Sequence, residues 1–407
     1  MWQRGWELVV SGALLRGLLY LGAFMIVVSA AVLVVVYWHA FPLPLQLAFA
    51  AAVPLTFYGG GFVLRTRLHS PIAGSAFTSI ASLLVAIDFA AVYQLGGLAG
   101  RVDAILYWLT SALICSAVYA VSAWRLRGEF YGYLFWLGGA NALVAFTRAV
   151  QLPLEWSIAL TGGLAALMLV SAAALHDVAA PWQELTRSTR RLGLLLAVSS
   201  QFAVLVVSGF RAPAPLGTFA FAAVGYGVYA WRLRARFFAH AAAWSAVVAA
   251  VFALALAAVP YEWYASAGAL VALLYIAAGN WLSQQTTREA RHVFVQALYV
   301  AGFGVLLLAF GGSGLARSVN IWASALAFTL IAVVLAYCAA QFHEPAALLA
   351  ASGLFVLPFS LALGRWLFDA RVPQLGVWVL LGWMGLALAY LAISALMRRA
   401  AGYARWV

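Results

Sequence analysis

Asp88 is the residue of this 407-residue chain whose type and position most strongly suggest chemistry. It lies in the apolar stretch SLLVAIDFAAVYQL, about sixteen residues into a run long enough to cross a bilayer. An ionisable side chain is costly there and marks a functional site by default. The alternative is a neutral or hydrogen-bonded Asp that fixes helix packing. Arg148, on a later run, is its candidate partner.

Two Glu–Trp pairs form a second set of candidates. Glu155–Trp156 and Glu262–Trp263 each begin an apolar run shortly after a proline. A carboxylate in the first turn of a helix is favoured by the helix dipole, and Trp prefers the membrane interface. Capping and anchoring therefore account for both pairs. The alternative is that Glu155 and Glu262 are binding residues that line an outer vestibule.

Cofactor and catalytic motifs are not found in the sequence. The six histidines lie near the ends of apolar runs, and the two cysteines, Cys115 and Cys338, lie inside such runs. No H-E-x-x-H is present, and a chain without Lys cannot form a P-loop. A proton-pumping antiporter subunit is also excluded, since it needs buried Lys and Glu relays. We therefore expect no cofactor, no metal site and no catalytic residue.

The composition assigns the chain to a membrane. Hydrophobic residues make up 66% and charged residues 8% of it, against roughly half and a quarter in soluble domains. The net charge of +12 would suggest nucleic acid in a soluble protein. Here every basic residue is Arg and lies near the end of an apolar run. We therefore expect the lipid bilayer as the partner, possible contacts with other membrane subunits, and no nucleic-acid binding.

Apolar runs of about 20 residues predict an all-α, polytopic transmembrane helix bundle. We expect 14 spans, or 12 to 14 if the pairs around Pro260 and Pro345 are miscounted, in one integral membrane domain over residues 1–407. The first run is too long for a signal-peptide core and is expected to remain a span. The runs are 13–37, 42–64, 72–95, 104–124, 130–150, 156–175, 192–210, 216–233, 237–259, 263–281, 293–312, 320–341, 345–364 and 375–397.

The distribution of Arg predicts the topology. If spans alternate in direction, 17 Arg fall on one side and six on the other. The positive-inside rule then places both termini in the cytoplasm and predicts a multi-pass protein of the inner (plasma) membrane. Interface anchors follow from two matching stretches, YAVSAWRLRGEF at 119–130 and YGVYAWRLRARF at 226–237. These anchors are Trp124, Arg125, Arg127, Trp231, Arg232 and Arg234.

The same two stretches indicate an internal duplication. Their residue numbers differ by 226 − 119 = 107, and those of the two Glu–Trp pairs by 262 − 155 = 107. We call this difference the repeat offset. Four spans with their connections account for this offset, and an even number of spans gives both copies the same orientation in the membrane. The copies are therefore predicted to be parallel repeats, at about 104–210 and 211–317. Weaker copies are expected at 42–103 and 320–397. Parallel copies argue against the inverted-repeat type of alternating access, though not against transporters with parallel repeats.

The first hundred residues contain three stretches of a recognisable kind. They are RGLLYLGAFMIVVSAAVLVVVYWHAF at 16–41, FYGGGFVLRTR at 57–67 and SPIAGSAFTSIASLLVAIDFAAVY at 70–93. Together they resemble an uncharacterised family of bacterial polytopic membrane proteins, known only as a domain-of-unknown-function family. The resemblance is strongest over residues 13–100. It implies membrane location and fold, and no agreed activity.

Three functions remain open from the sequence. A non-enzymatic scaffold or subunit of a membrane assembly fits the short loops and the few intramembrane charges. A transporter or flippase for an apolar or lipid-linked substrate fits the span count, Asp88 and the duplication. A membrane-embedded transferase on lipid-linked sugar would need an acid in an early outer loop, where Asp103 is the only candidate.

Overall fold

The computed structural model describes most of the chain beyond residue 41. It covers residues 42–67, 69–95, 98–126, 128–176, 183–209, 212–285, 288–316 and 320–399, with isolated helical positions between 21 and 36. The predicted span at 13–37 and the anchor Arg127 lie outside these ranges. The chain divides into two compact units, Met1–Val207 and Ser208–Val407.

The first unit is built from helical hairpins. Its described helices are α1 (Leu43–Thr66), α2 (Pro71–Leu95), α3 (Ala104–Leu126), α4 (Glu129–Ala149), α5 (Leu154–Ala174) and α6 (Gln183–Val207). Successive pairs pack along each other, α1 with α2, α3 with α4 and α5 with α6. Helix α4 also packs on α5 and α6, and α3 contacts α2.

The second unit continues the same pattern. Its helices are α7 (Pro213–Leu233), α8 (Arg236–Leu256), α9 (Tyr264–Gln285), α10 (Arg288–Ala316), α11 (Ile321–Phe342), α12 (Pro345–Asp369) and α13 (Leu375–Arg399). A 3₁₀ turn at Tyr261–Trp263 precedes α9. Its core lies among α8 to α11, where Ile276, Phe328 and Val334 are buried together.

The prediction of an all-α membrane protein is confirmed. Within the described ranges every regular element is helical, and eleven helices are long and apolar enough to cross a membrane. Each of the thirteen runs predicted beyond residue 41 coincides with one helix. Helices α4 and α7 are not among the eleven, because aromatic and polar residues lower their mean hydropathy. The runs around Pro260 and Pro345 are separate helices.

Helices α3–α6 and α7–α10 have matching neighbours, and the second helix of each set has matching bounds. Helix α4 spans Glu129–Ala149 and α8 spans Arg236–Leu256, so the two helices are separated by the repeat offset at both ends. In both sets the first helix packs along the second, the third along the fourth, and the second also packs on the fourth. We call these sets the first region and the second region.

The connection after the second helix is the same in both regions. Helix α4 ends in a Schellman motif, in which Leu152 N–H donates to Thr147 O at 2.9 Å and Gln151 N–H to Arg148 O at 3.1 Å. Helix α8 ends with the equivalent bonds, including Val259 N–H to Leu254 O at 3.1 Å. The left-handed residue is Gln151 (φ 54°) in one and Ala258 (φ 53°) in the other.

Glycines allow the third and fourth helices of each region to approach closely. A Cβ at Gly193 of α6 would lie 3.1 Å from Met168 Cβ and 3.4 Å from Ala165 O. A Cβ at Gly302 of α10 would lie 3.3 Å from Ala272 O. Ala165 and Ala272 are separated by the repeat offset, whereas the numbers of the two glycines differ by 302 − 193 = 109. The paired positions of the third and fourth helices are therefore two residues further apart along the chain in the second region.

Candidate functional site

Asp88 lies on a buried face of α2. Ala81, Leu84 and Ala91, which share this face by helical spacing, are all buried. Its Oδ2 atom is buried and has no hydrogen-bond partner within the described part of the chain. A carboxylate in this setting is costly, as the sequence suggested.

Arg148 does not neutralise Asp88. It lies in the last turn of α4, and its side chain is exposed. In the part of the chain that the structure describes, no ion pair joins the two residues; the surface pair Arg191–Glu129, at 2.6 Å, joins α6 to α4 instead. The predicted partnership is therefore not made in this structure.

The other sequence candidates occupy helix ends. Glu155 lies in the first turn of α5 and Glu262 in the 3₁₀ turn before α9, each after a proline at the N-cap. The backbone N–H groups of Trp156 and Trp263 donate to the backbone carbonyls of Pro153 and Pro260, respectively, both at 3.0 Å. The helix dipole stabilises a carboxylate at such a position in the first turn.

The interface anchors also lie at helix ends. Trp124 and Trp231 are 58% and 65% exposed in the last turns of α3 and α7. The Arg125 guanidinium lies over the Trp124 ring, 4.8 Å from its centroid. Arg232 lies in the last turn of α7, and Arg234 is its left-handed C-cap. A large exposed Trp at a helix end fits a membrane interface.

Asp103 is a helix cap. Its Oδ1 accepts hydrogen bonds from Ile105 N–H and Leu106 N–H, both at 2.9 Å, at the start of α3. This oxygen satisfies donors that the helix leaves unpaired. Capping of α3 is the role that the structure shows for Asp103.

A groove lies between α2, α3 and α4 in the first unit. This groove, which we call the Asn141 groove, has a volume of about 630 Å³, within the range of small-molecule sites. Residues between Leu83 and Gln94 form one wall, residues between Leu134 and Asn141 the other, and Ala104 to Tyr119 the floor. The rim residues Leu83 and Leu137 are exposed. The groove is therefore open along its side, where lipid chains would lie.

Aromatic and amide groups shape the Asn141 groove. Trp108 Nε1–H donates to Asn141 Oδ1 at 3.1 Å, which links its floor to the α4 wall. Tyr107 O–H donates to Phe89 O at 2.8 Å and ties the floor to α2. The Tyr107 and Tyr93 rings lie 4.8 Å apart. No charged residue lines the groove among the described residues.

A network of hydroxyl groups lies deeper in the first unit. Tyr119 O–H donates to Ser82 O at 2.8 Å, and Tyr58 OH lies 2.8 Å from Ser82 Oγ and 3.2 Å from Ser122 Oγ. Thr78 and Tyr131 extend it through a hydrogen bond between their hydroxyls. This hydroxyl network connects α1, α2, α3 and α4.

A second groove lies beyond the hydroxyl network, between α1, α2 and α3. This Arg125 groove has a volume of about 530 Å³, and Tyr58, Thr78 and Ser122 contribute hydroxyl groups to it. Arg125 and Leu126, at the end of α3, lie at its mouth. The Arg125 groove is mostly apolar, with one cation at the end of the helix.

The second region repeats only part of the lining of the Asn141 groove. At the repeat offset, Tyr107, Trp108, Cys115 and Asn141 correspond to Ala214, Pro215, Ala222 and Val248. Tyr119 is matched by Tyr226, and both are buried. The architecture of the two regions is shared, and the chemistry of the groove belongs to the first region.

Neither groove nor the hydroxyl network was predicted from the sequence. The predicted sites were ionisable residues in spans, whereas these features are made largely of Tyr, Trp, Ser and Asn. The available signal was the difference between the two repeat copies, since four polar or aromatic residues of one copy correspond to small or apolar residues in the other. Among the described residues, no group of three or more metal-ligating side chains comes together.

Comparisons of the chain with protein-family models, curated proteins and solved structures find no significant match. The function of the site must therefore be inferred from its own geometry.

Proposed function

We propose that this multi-pass membrane protein binds an amphipathic, lipid-like molecule in the Asn141 groove. The observation that carries the proposal is that Tyr107, Trp108 and Asn141 line a laterally open groove in one region. The other region has the apolar residues Ala214, Pro215 and Val248 at the equivalent positions. A feature needed only for packing would be expected in both regions, because their helices pack alike. The groove's lining therefore points to a ligand.

The shape and chemistry of the groove favour a lipid-like ligand. Its side is open between α2 and α4, where the exposed Leu83 and Leu137 would meet acyl chains. Aromatic rings offer flat apolar contact, and Asn141 and Trp108 offer a few oriented polar groups. An uncharged lining suits the apolar body of the ligand. Charged groups would remain at the groove's mouth.

This proposal selects the transporter or flippase hypothesis over the scaffold. The scaffold hypothesis rests on the lack of chemical motifs, and a fully packed bundle would have supported it. We also propose the remaining topology on the basis of the Arg distribution: both termini in the cytoplasm and a location in the inner (plasma) membrane. The matching bounds of α4 and α8 support a duplication. We further propose that the chain belongs to the domain-of-unknown-function family that its first hundred residues resemble.

The two cysteines provide a direct test. Cys115 lies in the Asn141 groove, and Cys338 lies in the core of the second unit. In a Cys338→Ser variant, a lipid-soluble maleimide should label Cys115 in detergent, and added phosphatidylglycerol should slow that labelling severalfold. In the matched Cys115→Ser variant, lipid should not change the labelling of Cys338. If lipid leaves Cys115 labelling unchanged, or if Cys115 never reacts, the binding proposal fails.

A further inference from the structure

We infer that the Asn141 groove and the Arg125 groove are two halves of one path for a lipid with an anionic headgroup, closed between them by the hydroxyl network. The inference rests on the proposed function and adds to it a route, a constriction and a headgroup charge. The lipid-like molecule that enters one groove from the bilayer would leave by the other. Its movement would follow its own gradient and needs no further reactant.

The two grooves follow α3 from one end to the other. The Asn141 groove extends along α3 from Ala104 to Tyr119, and the Arg125 groove extends from Ala117 to Leu126. At a rise of 1.5 Å per residue, this helix is about 35 Å long, close to the roughly 30 Å of bilayer hydrocarbon. The grooves therefore open towards opposite membrane surfaces and meet near Tyr119.

The hydroxyl network occupies the place where the grooves meet. Tyr119 lines the Asn141 groove, and Tyr58 and Ser122 line the Arg125 groove. Ser82 of α2 joins the two sides, since its carbonyl accepts from Tyr119 at 2.8 Å and its Oγ lies 2.8 Å from Tyr58 OH. Tyr119 is only 4% exposed. These hydroxyls close the path at rest and can hydrogen-bond to a headgroup that passes.

Arginines towards the outer end of each groove would set the preference for an anion. Arg148 lies two helical turns beyond Asn141 on the same face of α4, about 10 Å closer to the helix end. At the other end Arg125 lines the second groove, and Arg65 Nη2 lies 3.5 Å from the carbonyl oxygen of Leu126. No carboxylate lines either groove among the described residues. A lipid phosphate would meet a guanidinium at each surface.

The second region provides a matched control for the constriction. Tyr226 of α7 corresponds to Tyr119 at the repeat offset and is 3% exposed. Replacing either tyrosine with Ala removes the same buried volume from the equivalent helix. Only Tyr119 lies between the two grooves.

The test reconstitutes the full chain in phosphatidylcholine vesicles with a minor fraction of phosphatidylglycerol. A trace of phosphatidylglycerol that carries a fluorophore on one acyl chain reports movement between leaflets, because dithionite bleaches only the outer leaflet. The wild type should expose inner-leaflet tracer that protein-free vesicles retain, and should move it severalfold faster than a phosphatidylcholine tracer labelled on an acyl chain. Tyr119→Ala should raise the rate severalfold, and Tyr226→Ala should leave it within twofold of wild type.

The headgroup preference has its own variant, which does not depend on a buried substitution. Arg148→Gln changes an exposed residue and should bring the rates of the two tracers close together. The path is wrong if the wild type moves no tracer, if the two Tyr variants change the rate equally, or if Arg148→Gln keeps the preference. Lipid protection of Cys115 without tracer movement would leave the binding proposal standing and remove the path alone.

Discussion

The first and second regions share a helix arrangement and differ in what they enclose. Both place the second helix against the fourth and end it in a Schellman motif. The first region presents Trp108 and Asn141 to a groove, where the second region has Pro215 and Val248. The arrangement thus depends on small residues and helix ends, and a few positions on α3 and α4 determine the chemistry.

The crossing of the first two helices illustrates how packing is kept while residues change. In the first region a Cβ added at Gly138 of α4 would lie 2.5 Å from Ser116 Oγ of α3. At the repeat offset the second region has Ala223 on α7 and Ser245 on α8. The serine has changed helix, and the crossing keeps small residues on both sides. Such crossings are typical of helix contacts in membranes.

The largest effect that tests the shared arrangement is steric. Leu at Gly302 would collide with Ile276, since even a Cβ there lies 2.9 Å from Ile276 Cγ1. Gly302→Leu and Gly193→Leu should each lower the free energy of unfolding by about 1–3 kcal/mol, the usual cost of overpacking. Denaturant-induced unfolding in mixed micelles measures both.

Gly217→Leu on α7 is the control for these two variants, because a Cβ there meets nothing within 4 Å. Its free energy of unfolding should stay close to that of the wild type. If Gly302→Leu lowers the free energy of unfolding and Gly193→Leu does not, the two crossings are not equivalent.

A smaller, opposite effect is expected at the shared connection. Gln151 and Ala258 have left-handed φ angles of 54° and 53°, a conformation that costs a residue with a Cβ about 1–2 kcal/mol. Gln151→Gly and Ala258→Gly should therefore each raise the free energy of unfolding, by about 0.5–1 kcal/mol after the entropic cost of Gly. The same unfolding assay applies.

Gln151→Ala, which gives the first connection the residue of the second, should change little. Destabilisation by Gly at either site would contradict the idea that the left-handed angle is strained. A gain at one site alone would separate the two connections.

Much of the fold was predictable because lipid imposes a simple rule. Backbone groups in hydrocarbon must pair within a helix, so each apolar run of about 20 residues predicts one helix. The runs at 130–150 and 237–259 coincide with α4 and α8. The helix ends around Pro153 and Pro260 also agree with the expected starts of the next helices.

The site was less predictable, because its residues are ordinary in a membrane helix. Asp88 was predicted to be a site residue because it is ionisable. The groove, however, is lined by the opposite face of α2, at Phe89 and Tyr93. Which face of a helix lines a groove depends on the distances between that helix and the helices around it. Those distances cannot be read from the sequence of one chain. Only the contrast between equivalent positions of the two copies, such as Asn141 and Val248, carried a usable signal.

Occupation of the first region's groove by a lipid can be detected by photocrosslinking with a diazirine-bearing phosphatidylglycerol, mapped by mass spectrometry. Crosslinks are expected at the buried Ala112 and Cys115 of the groove floor, and they should be lost in an Asn141→Val variant. No crosslinks are expected at the buried Phe219 and Ala222, which occupy the equivalent places on α7. Crosslinks confined to exposed residues, spread evenly over both regions, would contradict lipid occupation of the groove.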